Sequence, residues 1–283
     1  MKYFPDYKIT QIDETTWHIS DQINAYIYVL KGTERTLVFD TGIGAFKLRP
    51  LVEQLSNKPI MVVNSHSHPD HTGANYEFNE VYISEKDSET LVNNLAMAAP
   101  SELILYLSRM VYGPETPEED YVKGLADKKE RQKRPPVHTL KDGDMIELGS
   151  RNLMVYDVPG HTPGSIFLLE EGRKRIYTGD SCCSTYGVLL HFPGACPVEE
   201  YYDALAKIWE ERNKFEELYP GHHQFPLDKY YLEEFMECCR GIMNGRITPV
   251  ADKDQNNALK AVYKRAIIIY SPENIFKNNQ QGR

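Results

Sequence analysis

Apolar runs that end in a polar tip recur along this chain of 283 residues. Ile60-Met61-Val62-Val63 runs into Asn64-Ser65-His66, and a short apolar run of this kind reads as a buried strand. Four more segments share the form. They are residues 36–39 before Asp40-Thr41-Gly42, 153–158 before Pro159-Gly160-His161, 175–178 before Gly179-Asp180, and 218–219 before Pro220-Gly221-His222-His223. Residues 16–19 and 25–30 add two strands, with 31–34 as the hairpin turn leading to 36–39. Residues 81–83 predict another strand, closed by Ser84 as a helix N-cap, and 266–270 predict a late one. Helical spacing appears over 43–57 (Leu48, Leu51, Val52, Leu55), over 198–213 (Tyr201, Leu205, Ile208, Trp209) and over 227–244, which Gly245 closes. Around 102–112 the apolar residues spread over much of a helix circumference, which predicts burial on more than one side.

In α/β proteins, sites are built at strand ends. One of the polar tips is dense in metal ligands: His66-Ser67-His68-Pro69-Asp70-His71. In an extended segment, His66 and His68 point the same way and can converge on one cation. Pro69 forces a turn, after which Asp70 and His71 can serve a second cation. Imidazole and carboxylate suit zinc and other borderline divalent metals. Asp40 ends an apolar strand, so its carboxylate can accept an N–H from a metal-binding histidine and fix its tautomer.

These motifs, in this order from Asp40 to His222, resemble the metallo-β-lactamase-fold superfamily of metallohydrolases, which includes glyoxalase II-like thioesterases and lactonases. The resemblance implies an α/β fold, a four-layer αβ/βα sandwich, here as a single domain over 1–283. A helical insertion is expected at 85–137, as a lid or a homodimer surface, and a helical C-terminal segment at 227–265. The resemblance also assigns roles. His66, His68 and His161 would bind the first metal. Asp70, His71 and His222 would bind the second, Asp180 would bridge the two, and Asp40 would act from behind the ligands. Asp70 and Asp180 are the catalytic candidates, Asp70 as proton relay. Tyr186, by similarity to a lactonase tyrosine, and His191 and His223, by position, are candidates for the substrate pocket. His18 and His138 read as structural.

The expected activity is dinuclear metal-dependent hydrolysis, with a bridging hydroxide attacking a small ester-like substrate, a thioester or a lactone. The cofactors would be two divalent ions, zinc first, with iron or manganese as alternatives. The competing reading is a mononuclear iron oxidoreductase of the persulfide dioxygenase kind. Asp180 argues against a true β-lactamase, and no C-terminal pattern of glyoxalase II is visible. Composition narrows the partners. The net charge of −9 repels nucleic acid, and the one basic run, 128–134, is interrupted by acids. Five cysteines in two adjacent pairs and a single form no disulfide framework, and no signal segment or membrane-length apolar run occurs. The chain is therefore expected in the cytoplasm, acting on a small molecule, with no nucleic-acid or membrane partner.

Overall fold

Strands β4 (Thr36–Phe39) and β5 (Ile60–Val63) pair in parallel, with Phe39 opposite Val63. This brings Asp40 and the histidine-rich loop to the same sheet end. The computed structural model describes residues 7–94, 133–256 and 258–277. The chain divides into two compact units: Met1–Leu140 with Glu147–Arg151, and Lys141–Ile146 with Asn152–Arg283.

The first unit carries a seven-stranded sheet in sequence order. β1 (Lys8–Asp13), β2 (Thr16–Ser20), β3 (Tyr26–Lys31) and β4 form an antiparallel meander. β5, β6 (Val81–Ser84) and β7 (Val137–Leu140) continue it in parallel. Helices α1 (Arg49–Leu55), α2 (Pro69–Thr72) and α3 (Glu85–Asn94) fall between the parallel strands. Ile19, Ile27, Val29, Val38, Val62 and Val81 share one fully buried cluster with Val52 of α1. Each such side chain contributes roughly 1.5–3 kcal/mol on burial. Leu30, Leu37 and Phe39 are buried as well, so β3 and β4 are covered on both faces. That is why these strands read as continuous apolar runs rather than alternating ones. β1 was not foreseen: its first four residues are exposed, and only Ile9 among them is apolar. The helix expected from residue 43 starts only at Arg49, because Gly44 has φ +69° and lies against Gly73, where a Cβ would come within 2.2 Å of the Gly73 carbonyl oxygen.

His18, on β2, is buried as expected, its ring 4.3 Å from that of Tyr26 and 5.5 Å from that of Tyr28. Burial pushes its imidazole down to about 4 from its ordinary value of 6.5. The folded state therefore binds the proton less well than the unfolded chain. Stability is complete above about pH 6.5 and is lost as pH falls towards 4, by about 3 kcal/mol at most. His18→Leu is expected to flatten that part of the acid profile in urea denaturation at stepped pH. An unchanged slope would contradict it.

The second unit carries a six-stranded sheet, ordered β14-β13-β11-β10-β9-β8, and a four-stranded sheet, ordered β12-β17-β16-β15. In the first are β8 (Met145–Glu147), β9 (Asn152–Asp157), β10 (Ile166–Glu170), β11 (Arg175–Gly179), β13 (Glu217–Pro220) and β14 (Leu227–Asp228). In the second are β12 (Val188–Leu190), β15 (Val250–Asp252), β16 (Ala258–Tyr263) and β17 (Ala266–Tyr270). Helices α4 (Val198–Glu210) and α5 (Tyr230–Met243) pack on each other, and α5 packs on β16 and β17. Phe167, Ile176, Leu205, Phe215, Leu218, Phe235 and Ile268 belong to the core of this unit.

The expected helical segment 227–265 is corrected here: it is α-helical from Tyr230 to Met243, and β15, a 3₁₀ turn at Lys253–Gln255 and β16 follow. β16 reads Ala-Leu-Lys-Ala-Val-Tyr, too mixed to announce a strand, and it is made one by pairing with the apolar β17. Of the expected insertion at 85–137, α3 and β7 are seen; residues 95–132, with the helix expected at 102–112, lie outside the described residues. Among the described residues no helix is long and apolar enough to cross a membrane.

Candidate metal centre

In the first unit, the loop after β5 carries four of the expected ligands. His68 is extended (φ −67°, ψ 147°), the conformation that a following proline favours. Pro69 then opens α2, where its missing N–H costs no helix bond. This turn sets Asp70 and His71 beyond the His66–His68 pair. The rings of His66 and His68 stand 4.7 Å apart, and those of His66 and His71 4.3 Å apart. Asp40 lies behind them with φ +64°. Its Oδ2 accepts from His71 Nδ1 at 2.9 Å and from the Ser65 hydroxyl at 2.7 Å, and its Oδ1 accepts from the Ser65 amide at 2.7 Å. With Nδ1 of His71 so engaged, Nε2 keeps its lone pair for a metal. The His71 carbonyl accepts from Asn64 Nδ2 and from the Thr41 amide, while Ser67 N–H donates to Asp87 of α3. Asp21, buried, accepts from the Ile43 amide at 2.7 Å and holds the far side of the Asp40 loop.

In the second unit, β11 and β13 run in parallel, with Gly179 opposite Pro220, so Asp180 and His222 emerge at the same edge. His161 follows β9 through Val158-Pro159-Gly160. Its Nδ1–H donates to the Leu189 carbonyl at 2.8 Å, which leaves Nε2 as the acceptor. Asp180 Oδ2 lies 3.7 Å from His161 Nε2 and 3.6 Å from His222 Nε2. Tyr201 of α4 is fully buried beneath these loops. Its ring meets Gly160, and its hydroxyl donates to the Ser181 carbonyl at 2.6 Å.

The donor geometry suits a metal. In the first unit, Asp70 Oδ2 stands 3.6 Å from His71 Nε2. All three carboxylate–imidazole approaches are too long for hydrogen bonds. Two donors at about 2.0–2.2 Å from one tetrahedral ion are separated by about 3.4 Å, close to what is seen. Oδ2 of Asp180 is nearly equidistant from the two imidazole nitrogens. The cysteines give no sign of a nucleophile by contrast: all five are buried, and none is in a disulfide. Burial pushes the thiols of Cys182, Cys183, Cys238 and Cys239 up, Cys238 to about 12. Such thiols carry almost no thiolate at neutral pH.

The family model described as "Metallo-beta-lactamase superfamily" matches residues 20–222, a span that holds all seven candidate ligands and Asp40. The chain belongs to the metallo-beta-lactamase superfamily. Among its relatives in that superfamily is the human acyl-coenzyme A thioesterase MBLAC2, 30% identical over 215 residues, which cover 70% of this chain and 72% of the relative. The hydroxyacylglutathione hydrolase of Hyphomonas neptunium is 27% identical over 197 residues, 70% of this chain and 60% of that one. A solved metallo-beta-lactamase from Pontibacter korlensis matches with a TM-score of 0.60 at 16% identity, covering 82% of this chain and 97% of its own. That likeness establishes the mixed α/β metallo-beta-lactamase fold, and the named relatives group the chain with metallohydrolases.

The remaining candidates are placed as follows. Tyr186 is exposed, its ring tilted against that of His223 with centroids 4.9 Å apart, and His223 neighbours the His222 ring at 5.8 Å. Burial lowers the His223 imidazole to about 4. His191 packs on Phe192, whose ring lies 6.1 Å from that of His161. His138 is a surface residue, stacked on Tyr82 and 3.2 Å from Glu80. Sequence reasoning missed Ser65, Asp21, Asp87 and the Tyr201 hydroxyl as supports of the site. Asp21 had no signal beyond a polar residue after a strand, and Tyr201 was read only as part of an apolar stripe.

Proposed function

We propose that this superfamily member is a dinuclear metal-dependent thioesterase acting on acyl-coenzyme A thioesters. In this reading His66, His68 and His161 hold one divalent ion and Asp70, His71, Asp180 and His222 the other, with Asp180, 3.7 Å from His161, serving both. The reading is carried by the position of Asp180 Oδ2 between two imidazole nitrogens. The thioester is supported by the human relative, named for that activity. Two bound ions such as zinc would supply an acidified water and polarise the thioester carbonyl. The chain's own groups do the rest. Asp40 and the Leu189 carbonyl hold the imidazoles in the tautomer that presents Nε2. Asp70, half-buried beside His71, would take a proton from the attacking water and return it to the leaving thiolate.

The second unit also offers room for substrate. A cavity of about 630 Å³ is lined by Pro163, two residues beyond His161, and by Phe192, Ala195, Pro197, Glu200 and Glu273. Its proline, phenylalanine and alanine side chains can take a carbon chain, although its lining is almost as polar as apolar, and its two carboxylates repel phosphate. We assign it to the acyl group rather than to the coenzyme.

The test is hydrolysis by protein purified without added metal or chelator, read as thiol release from the thioesters and as acid release from the lactone, with metal content measured on the same sample. The panel holds acetyl-, octanoyl- and palmitoyl-coenzyme A, a hydroxyacylglutathione and an acyl lactone. Two metals per chain and the highest kcat/KM on an acyl-coenzyme A are expected. Faster lactone opening would overturn the substrate, and a single iron with oxygen consumption on a persulfide would overturn the reaction.

A further inference from the structure

Asp40 reaches more than His71. The Ser65 hydroxyl oxygen stands 2.7 Å from Asp40 Oδ2 and 2.9 Å from His66 Nδ1, and all three residues are buried. A hydroxyl has one proton to give. Asp40 Oδ2 already accepts from His71 Nδ1, so the 2.7 Å contact from Ser65 Oγ to Asp40 Oδ2 is the serine's donation and uses its proton. Ser65 Oγ can then only accept from His66, and the proton of the neutral ring must sit on Nδ1. The Ser65 amide donates to the other oxygen of the same carboxylate at 2.7 Å, so the serine is gripped at two points and its hydroxyl cannot swing away.

We infer that Ser65 is a positioning residue that carries the hold of Asp40 to His66, so that one buried carboxylate sets the metal-facing nitrogen of two histidines. His71 is set directly, through Nδ1–H to Oδ2. His66 is set through the serine. Resting on the assignment above, in which His66 and His71 serve different ions, the arrangement couples one ligand of each ion to the same carboxylate. A serine that merely filled the acceptor capacity of Asp40 would leave the His66 proton indifferent between Nδ1 and Nε2.

The difference is readable without metal or substrate. In the metal-free protein above pH 7, nitrogen-15 NMR of labelled histidine is expected to show His66 as the Nδ1–H tautomer. Ser65→Ala is expected to shift it towards Nε2–H, while Ser65→Thr, which keeps the hydroxyl, retains it. In chelator competition, Ser65→Ala should weaken binding of the more affected ion by roughly 10–100-fold, with Ser65→Thr near the parent value. An Nε2–H tautomer at His66 in the parent protein would overturn the inference, and that measurement needs no variant to fold. So would an Nδ1–H tautomer that survives Ser65→Ala. Failure of the thioesterase reading would appear separately, as absent thiol release by the metal-loaded parent.

Discussion

Asp180→Ala is expected to leave a folded protein that releases no thiol above background. The loss in kcat/KM should be on the order of a thousand-fold or more, about 4 kcal/mol of transition-state stabilisation. Oδ2 of Asp180 is 3.7 Å from His161 Nε2 and 3.6 Å from His222 Nε2, within reach of both candidate ligands. On the dinuclear reading proposed above, removing it takes one ligand from each ion at once. His161 keeps its bond to the Leu189 carbonyl, and its ring stays in place without the anion that completes its metal. The fold should tolerate the change. Asp180 is only half-buried and follows β11 rather than lying within it. The measurement pairs metal per chain and kcat/KM with a thermal melt. Fewer than two metals, lost turnover and a cooperative melt are expected together. Full turnover with both metals retained would remove Asp180 from the centre.

The parts of the centre that sequence reveals are those whose geometry is local. His66, His68, Asp70 and His71 announce themselves because strand periodicity and one proline dictate where four neighbouring side chains go. His161, Asp180 and His222 are legible only as tips of apolar runs, since their approach depends on which strands lie side by side. The grip of Asp40 on Ser65 was invisible for the same reason: it exists because β4 and β5 are adjacent and parallel, which no single stretch states. The Leu189 carbonyl is a backbone group and leaves no residue-type signal at all. In the fold, β3, β4, β5 and β17 were readable from unbroken apolar runs. β1 and β16 were not, because their strand state comes from a paired neighbour rather than from their own pattern. Tyr201 shows the limit most sharply. Its ring obeys the helical stripe that predicts α4, while its hydroxyl serves a loop twenty residues upstream.

Gly160→Ala tests that last residue. A Cβ at 160 would lie 2.5 Å from Cδ2 of Tyr201 and 3.0 Å from its Cγ, so something must move. The tyrosine cannot move freely. It is fully buried, and displacing it breaks its 2.6 Å bond to the Ser181 carbonyl, beside Asp180. Nor can the loop move without carrying His161, and the Gly160 carbonyl is also tied to the Cys196 amide at 2.8 Å. Either route alters the 3.7 Å spacing of His161 and Asp180. The expected cost is about 1–3 kcal/mol of stability, as for overpacking elsewhere. A misplacement of about 1 Å at the ligands should lower kcat/KM roughly a hundred-fold. Tyr201→Phe separates the two effects. It keeps the ring and hence the clash, yet strips the Ser181 carbonyl of its donor, at about 1–3 kcal/mol. Tyr201→Leu opens space for the new methyl, so Gly160→Ala with Tyr201→Leu should be less destabilised than the two single changes added together, by about 1 kcal/mol or more. Denaturant melts of the four proteins give that coupling directly. Strict additivity would mean that Gly160 is glycine for its own backbone and not for the tyrosine beneath it.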